Sequence, residues 1–330
     1  MIKKSSLAVF LFALLLSACS AIDVAEPILV VPENEILEPT SVEAVDPVST
    51  EVLQLEFVDD LGHTITLNGY AQAIVALGPS SLESLFAIGA GEQIVGREEY
   101  SAYPEEAIDI ASVGDLFSAF PLENIVALEP DLVIAPQIIA QENVEALLEL
   151  GVTVFWMENP VDFAGLFDQL SLLAQLTGHQ EEAELLVESL AARVSAVEDI
   201  VAYVEETPSV LYELDATDPI NPWTVGPGTF IDTLIYMAGG TNAASVLSSD
   251  YAQISSEAVI EVNPQVILLA DAPYGITPES VSARAGWQVI SAVENDRVHA
   301  FDPLIVSVPG PRMVLGLETM AALLHPESFE

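Results

Sequence analysis

The sequence predicts an α/β protein with two Rossmann-like lobes joined by one long rigid helix. Three observations carry that prediction. Short apolar runs alternate with amphipathic segments from Val52 onward, the pattern of strands and helices packed in layers. A helix–proline–strand unit occurs twice at one offset, and a single apolar stripe of helical spacing separates the two copies.

At the N-terminus, Lys3 and Lys4 precede an apolar run from Leu7 to Leu16, followed by Leu16-Ser17-Ala18-Cys19. The run is too short to span a bilayer, and its basic front and small-residue end predict a cleaved signal over residues 1–18. The tetrapeptide resembles the lipobox of bacterial lipoproteins, in which the cysteine is acylated and becomes the new N-terminus. Cys19 is the sole cysteine, and two or three acyl chains anchor stably where one does not. Residues 19–51 then carry Pro27, Pro32, Pro39 and Pro47, eight acidic residues, no basic residue and no glycine. Such a stretch is expected to be an extended, self-repelling spacer reaching roughly 100 Å from the membrane.

The first lobe is expected over residues 52–178. Ile74 to Leu77 reads as a strand, and Ser80 with Glu83 as a capping box opening a helix that stops at Gly89. Ile94-Val95, Leu132 to Ala135 and Val152 to Phe155 are further strands, with a helix from Glu142 to Leu150 before the last. Residues 179–206 form the interlobe helix: Ala183, Val187, Leu190, Val194, Val197, Val201 and Val204 recur at spacings of four and three. Thr207-Pro208 ends it. The second lobe, 207–330, repeats the theme. Pro121 to Ile134 aligns with Ser255 to Leu268, and glutamates and prolines coincide at one offset (257 − 123 = 264 − 130 = 134).

Composition narrows the function. The chain has 51 acidic residues against seven basic ones, a net charge of −44, yet 51% hydrophobic residues and a mean hydropathy of +0.46. High charge with high hydrophobicity is not the signature of disorder. Nucleic acid is excluded as a partner because almost nothing can neutralise phosphates, and one cysteine excludes a disulfide framework. The acidity reads as a solvated coat, with steering toward a basic partner as a second role. No G-x-S-x-G, Walker or H-E-x-x-H motif occurs. His63, His179, His299 and His325 lie in four separate segments, so no intrinsic metal site is expected.

Beyond the signal the only basic residues are Arg97, Arg193, Arg284, Arg297 and Arg312. Arg193 lies on the polar side of the long helix and is expected to pair with a surface carboxylate. Arg97 precedes Tyr100 and Tyr103 in a loop after a strand, and Arg312 closes the turn Pro309-Gly310-Pro311-Arg312. Loops at strand ends are where open α/β sheets bind ligands. Each of these two arginines either satisfies a buried carboxylate or meets an anionic ligand. Tyr100, Phe117, Trp156, Trp223, Tyr251, Tyr274 and Trp287 fall in loops or at strand ends. Apolar walls with few polar anchors describe a pocket for a large organic ligand.

Several stretches, in order, resemble one family: Asp59-Asp60-Leu61-Gly62, the Ser80-to-Gly89 helix, Tyr100-Ser101-Ala102-Tyr103-Pro104, Leu122 to Val133, Trp223-Thr224-Val225-Gly226, Ala238 to Asn242, Gly286-Trp287 and Pro309 to Arg312. From about Val58 to Phe329 the chain resembles the substrate-binding proteins of ABC importers for ferric siderophores, haem and cobalamin. The resemblance implies a shallow ligand cleft between the lobes, small hinge motions, and no catalysis or intrinsic cofactor. It implies capture of a metal chelate, a ferric siderophore or a cobalamin/corrinoid, and delivery to an ABC permease dimer with its ATPase subunits. The cleft residues expected on this basis are Ser80, Arg97, Tyr100, Phe117, Trp223, Tyr251 and Arg312. Glu123 and Glu257, matching the family's docking positions, are expected to meet permease arginines. Cys19 would hold the body on the outer face of the cytoplasmic membrane. The competing expectation is a tethered cell-surface binding or sensory lipoprotein without a transport role.

Overall fold

The computed structural model describes residues 53–329. The predicted signal, Cys19 and the acidic spacer lie outside the described residues. The body starts with an antiparallel hairpin, β1 (Gln54–Val58) and β2 (Thr64–Asn68). Its alternation is visible in β2, where Ile65 and Leu67 are buried and the threonines face out. Asp59 closes the turn, accepting from the amides of Leu61 and His63.

The first lobe continues through β3 (Ile74–Ala76), α1 (Pro79–Ala87), β4 (Ile94–Glu98), β5 (Ser112–Gly114) and α2 (Leu122–Ala127). It closes with β6 (Leu132–Pro136), α3 (Gln141–Glu149), β7 (Val154–Met157) and α4 (Phe163–Thr177). The strands form one parallel sheet in the order β5-β4-β3-β6-β7. Helices cover both faces, so β3, β6 and β7 are buried along their whole length rather than alternating.

The predicted Ser80–Glu83 capping box does not form. Gly78 is the N-cap at φ 130°, a conformation that favours glycine, and Pro79 takes the first helical position with no side-chain cap. Glu83 is thereby free of the helix start and turns to Arg312.

The interlobe helix is α5 (Gln180–Val201), shorter at its C-terminal end than the expected 179–206. Glu205 and Glu206 follow; carboxylates there oppose the helix dipole and do not extend it. Its stripe is buried as expected at Ala183, Leu190, Val194 and Val197, packing on α4 from the first lobe.

The second lobe runs β8 (Ser209–Asp215), β9 (Trp223–Val225), α6 (Phe230–Met237), β10 (Thr241–Asn242), β11 (Tyr251–Gln253), α7 (Ser256–Val262) and β12 (Val266–Leu269). Then come α8 (Pro278–Ser282), α9 (Ser291–Glu294), β13 (Val298–Ala300), α10 (Leu304–Ser307) and α11 (Met313–Leu324). Helices α6 and α11 of this lobe also pack on α5. The sheet order is β11-β9-β8-β12-β13, with β10 also on β8. Strands β8, β10, β12 and β13 are parallel, whereas β9 pairs antiparallel with β8 and β11 antiparallel with β9. The link between β8 and β9 is only residues 216–222, too short for the crossover that a parallel neighbour needs.

The internal repeat extends to the backbone. Glu129 and Asn263, at the same offset, both adopt the left-handed conformation (φ 48° and 47°) that turns helix into strand. The following side chains act alike: Asp131 accepts from the Gln72 and Ala73 amides, and Gln265 from the Ser209 amide. One continuous core joins the lobes, running from Leu82, Leu85 and Ile134 through Leu190 and Val197 to Val306 and Leu317. Among the described residues no helix is long and apolar enough to cross a membrane.

Candidate ligand cleft and docking face

The loops at the carboxyl ends of all five strands of the first sheet, β3 to β7, line a cavity of about 240 Å³ together with the turn after α10. Ser80, Tyr100 and Phe117 of the expected cleft residues line it, beside Glu98, Ile138, Ser307 and Pro309. Tyr100 and Phe117 remain 64% and 71% exposed. Large aromatic surface left in water at a concave site is the kind of wall a pocket for an organic ligand needs. Their loops are braced by acids. Glu98, 2% exposed, accepts from the Tyr100 amide at 2.8 Å and the Ser101 hydroxyl at 2.9 Å. Asp115 accepts from the Phe117 and Ser118 amides and the Ser118 hydroxyl, which hold its carboxyl below the usual range.

Trp223 and Tyr251 stand apart from that cavity, on the paired strands β9 and β11. Trp223 lies opposite Asp215 at the carboxyl end of β8. Both are exposed, so the second lobe presents its own pair of aromatic faces.

Arg97 and Arg312, expected as cationic anchors, have other partners. Arg97 is 8% exposed, and its guanidinium donates to the carbonyls of Glu98, Glu99, Ser101 and Ile108 at 2.9–3.2 Å. It ties the Tyr100 loop together from inside. Of the two readings open for Arg312, the structure takes the buried carboxylate. Its Nε donates to Glu83 at 2.7 Å and its backbone amide to the same carboxylate at 2.9 Å. Its guanidinium also stacks 3.8 Å over the Tyr103 ring. Glu83 and Tyr103 belong to the first lobe and Arg312 to the second, so this cluster clamps the lobes together beside the cleft. Burial pushes the Glu83 carboxyl up, against the opposing pull of the Arg312 bonds.

The remaining arginines are also engaged. Arg193 pairs with Glu318 of α11, as expected of a surface partner. Arg297 donates to the Leu323 and Leu324 carbonyls at the end of α11. Arg284 makes a bidentate pair with fully buried Glu213 at 2.5 and 2.7 Å and lies 4.5 Å from the Trp287 ring. Beside them Asp271, 4% exposed, is pushed up to about 6 by burial and by Glu213. The sequence reading missed Glu83, Glu98, Glu213 and Asp271. An acid directly following a run of apolar strand residues, as in Leu211-Tyr212-Glu213 and Leu269-Ala270-Asp271, is the signal for two of them. Trp156 and Trp287, counted among possible cleft aromatics, are core residues.

Glu123 and Glu257 are exposed, each in the first turn of its helix, α2 and α7. Each helix is fixed by a side chain at its start. Asn124 donates to the Val113 carbonyl of β5, and the buried Trp287 indole donates to Ser256. Among the described residues no cluster of histidine, cysteine and carboxylate is arranged to hold a metal.

Residues 74–303 match the model of a family described as periplasmic binding protein. The chain is similar to an uncharacterized ABC transporter substrate-binding lipoprotein, YvrC, of Bacillus subtilis: 28% identity over 286 residues, covering 85% of this chain and 88% of the relative. It is 29% identical over 273 residues to a cobalamin-binding protein of Halobacterium salinarum, covering 79% and 71%. Among solved structures, the periplasmic haem-binding protein RhuT of Roseiflexus superposes with a TM-score of 0.69 at 26% identity, over 79% of this chain and all (100%) of that one. The vitamin B12 binding protein BtuF of Vibrio cholerae has the same fold, with a TM-score of 0.67 at 24% identity over 79% and 99%.

Proposed function

We propose that the chain, which belongs to the periplasmic binding protein family, is the lipid-anchored solute-binding component of an ABC importer. It captures a metal chelate, a ferric siderophore or a cobalamin/corrinoid, and delivers it to a permease dimer served by ATPase subunits. The observation that carries this reading is the cavity between the lobes, rimmed by Tyr100 and Phe117 held out to solvent. Relatives named for cobalamin and for ABC-transporter lipoproteins support it.

Each step falls to this chain's residues. Cys19, acylated, holds the protein at the outer face of the cytoplasmic membrane, and residues 20–51 give it reach. Tyr100 and Phe117 cover the part of the chelate seated in the cavity, and Trp223 and Tyr251, outside that cavity, would meet only a part that projects beyond it toward the second lobe. Ser80, on the cavity wall, offers a hydroxyl. Glu123 and Glu257, one on each pseudo-equivalent helix, present two carboxylates to a two-fold symmetric permease with paired arginines. Charge-assisted bidentate contacts of that kind fix orientation, and the acidic body speeds encounter in a salt-sensitive way.

The experiment is charge reversal at the docking acids. Glu123→Arg and Glu257→Arg are expected to leave chelate affinity unchanged in solution while abolishing uptake in vesicles reconstituted with the permease. Like-charge contact at an interface costs several kcal/mol, so each single change should already be severe. Normal uptake by the double variant would remove both residues from docking. Failure of the wild-type protein to bind any chelate would remove the ligand assignment.

A further inference from the structure

The cationic groups of this body can be accounted for one by one. The sequence holds seven basic residues, of which Lys3 and Lys4 belong to the predicted signal and none lies in the spacer. The other five are arginines, and the structure occupies every one of them. Arg193, Arg284 and Arg312 are paired with Glu318, Glu213 and Glu83. Arg97 and Arg297 are spent on backbone carbonyls. None of the five lines the cavity between the lobes, and no histidine does. His63 and His179 sit beside Asp59 and Glu182.

One charged residue does line it. Glu98 is 2% exposed, and its carboxylate is held by the Tyr100 amide and the Ser101 hydroxyl. Among the described residues no cationic side chain lies within ion-pair distance of it; adjacent Arg97 points its guanidinium at carbonyls instead. A carboxylate in a site from which bound ligand excludes water acts through a low local dielectric, where its charge reaches further than in solvent. The body around it carries the same sign.

We infer that the cleft selects a chelate of neutral or positive overall charge and rejects anionic ones, with Glu98 as the residue that sets this preference. The inference rests on the chelate-binding reading above and narrows it. A neutral corrinoid or a cationic ferric hydroxamate fits; a ferric tris-catecholate, strongly anionic, does not. Discrimination of this kind works by an unfavourable contact with the wrong ligand as much as by contacts with the right one.

The test uses ligands matched in shape and differing in charge, titrated against the full mature lipoprotein in a neutral detergent by intrinsic fluorescence. One pair is cyanocobalamin and its monocarboxylate, in which a single side-chain amide is hydrolysed. A second is a linear ferric trihydroxamate bearing a free amine and the same complex with that amine succinylated. A ferric tris-catecholate completes the set. Within whichever scaffold binds, the less negative member is expected to bind at least tenfold more tightly at low ionic strength. That ratio should shrink in high salt and in Glu98→Gln. The salt titration of the wild-type protein decides the charge preference if the variant does not fold, and an unchanged ratio in folded Glu98→Gln would remove Glu98 as its origin. A ratio below tenfold, or tight binding of the tris-catecholate, would overturn the charge preference and leave the chelate reading standing. Binding of none of the five would overturn the chelate reading itself, and the inference with it.

Discussion

Removing Arg312 is the perturbation that most directly tests how the two lobes are held together. Its partner Glu83 is 2% exposed as a side chain and Arg312 18%, so the pair is mostly, but not wholly, withdrawn from water. In Arg312→Ala the carboxylate keeps the backbone amide at residue 312 as a donor and loses the Nε bond and the guanidinium charge. Breaking a buried pair from one side costs about 3–5 kcal/mol; the exposed fifth of Arg312 places this case near the lower end, at roughly 3 kcal/mol. Loss of the stacking on Tyr103 adds about 0.5–1 kcal/mol. The penalty has a pH signature. Glu83 already titrates above its ordinary value, and without Arg312 it should rise further. The folded state then binds the proton more tightly than the unfolded chain. The cost of the substitution is therefore smallest below the ordinary glutamate range and grows as pH rises through the folded-state value. Urea unfolding of the wild type, Arg312→Ala, Glu83→Gln and the double variant at pH 7.5 and pH 5 measures both effects. Coupling above about 1 kcal/mol between the two sites is expected. A loss below about 1 kcal/mol for Arg312→Ala, or strict additivity in the double variant, would refute the clamp.

Asp271→Asn should stabilise the protein at pH 7.5 by up to about 3 kcal/mol, since a carboxyl titrating near 6 is costly to keep ionised above that pH; the gain should vanish as pH falls toward 4, and thermal unfolding across that window checks it. Gly226→Ala should be among the most damaging single methyl additions, because its Cβ would lie 1.9 Å from the Ser249 carbonyl oxygen, a backbone atom that cannot step aside. Overpacking of that kind costs about 1–3 kcal/mol or more, readable as a lowered urea midpoint. Cys19→Ser should move the protein from the membrane to the soluble fraction with its circular dichroism unchanged; membrane retention in that variant would defeat the lipid tether.

Much of the architecture was legible because it is written in local periodicity. The stripe from Ala183 to Val201 names a helix and its buried side without reference to anything else in the chain. The duplicated unit around Glu123 and Glu257 announces two similar lobes, and the structure carries that duplication down to matching left-handed residues at Glu129 and Asn263. The aromatic residues divide: Tyr100 and Phe117 line the cavity at the strand ends, whereas Trp156 and Trp287 are core. An aromatic side chain suits a pocket wall and a core equally well, so residue type alone does not separate the two.

The sequence by itself determined the α/β class, the two lobes, the long helix between them and the scarcity of positive charge. Only the tertiary structure decided where that charge goes. Glu83 read as a helix cap because its neighbour Ser80 is three residues away; its actual partner, Arg312, is 229 residues away and on the other lobe. Arg97 read as a ligand anchor until four carbonyls of its own loop were seen to surround it. Periodicity is a property of neighbouring residues and survives in the sequence. A charge pairs with whatever folding brings within a few ångströms, and that proximity is set by the packing of whole elements.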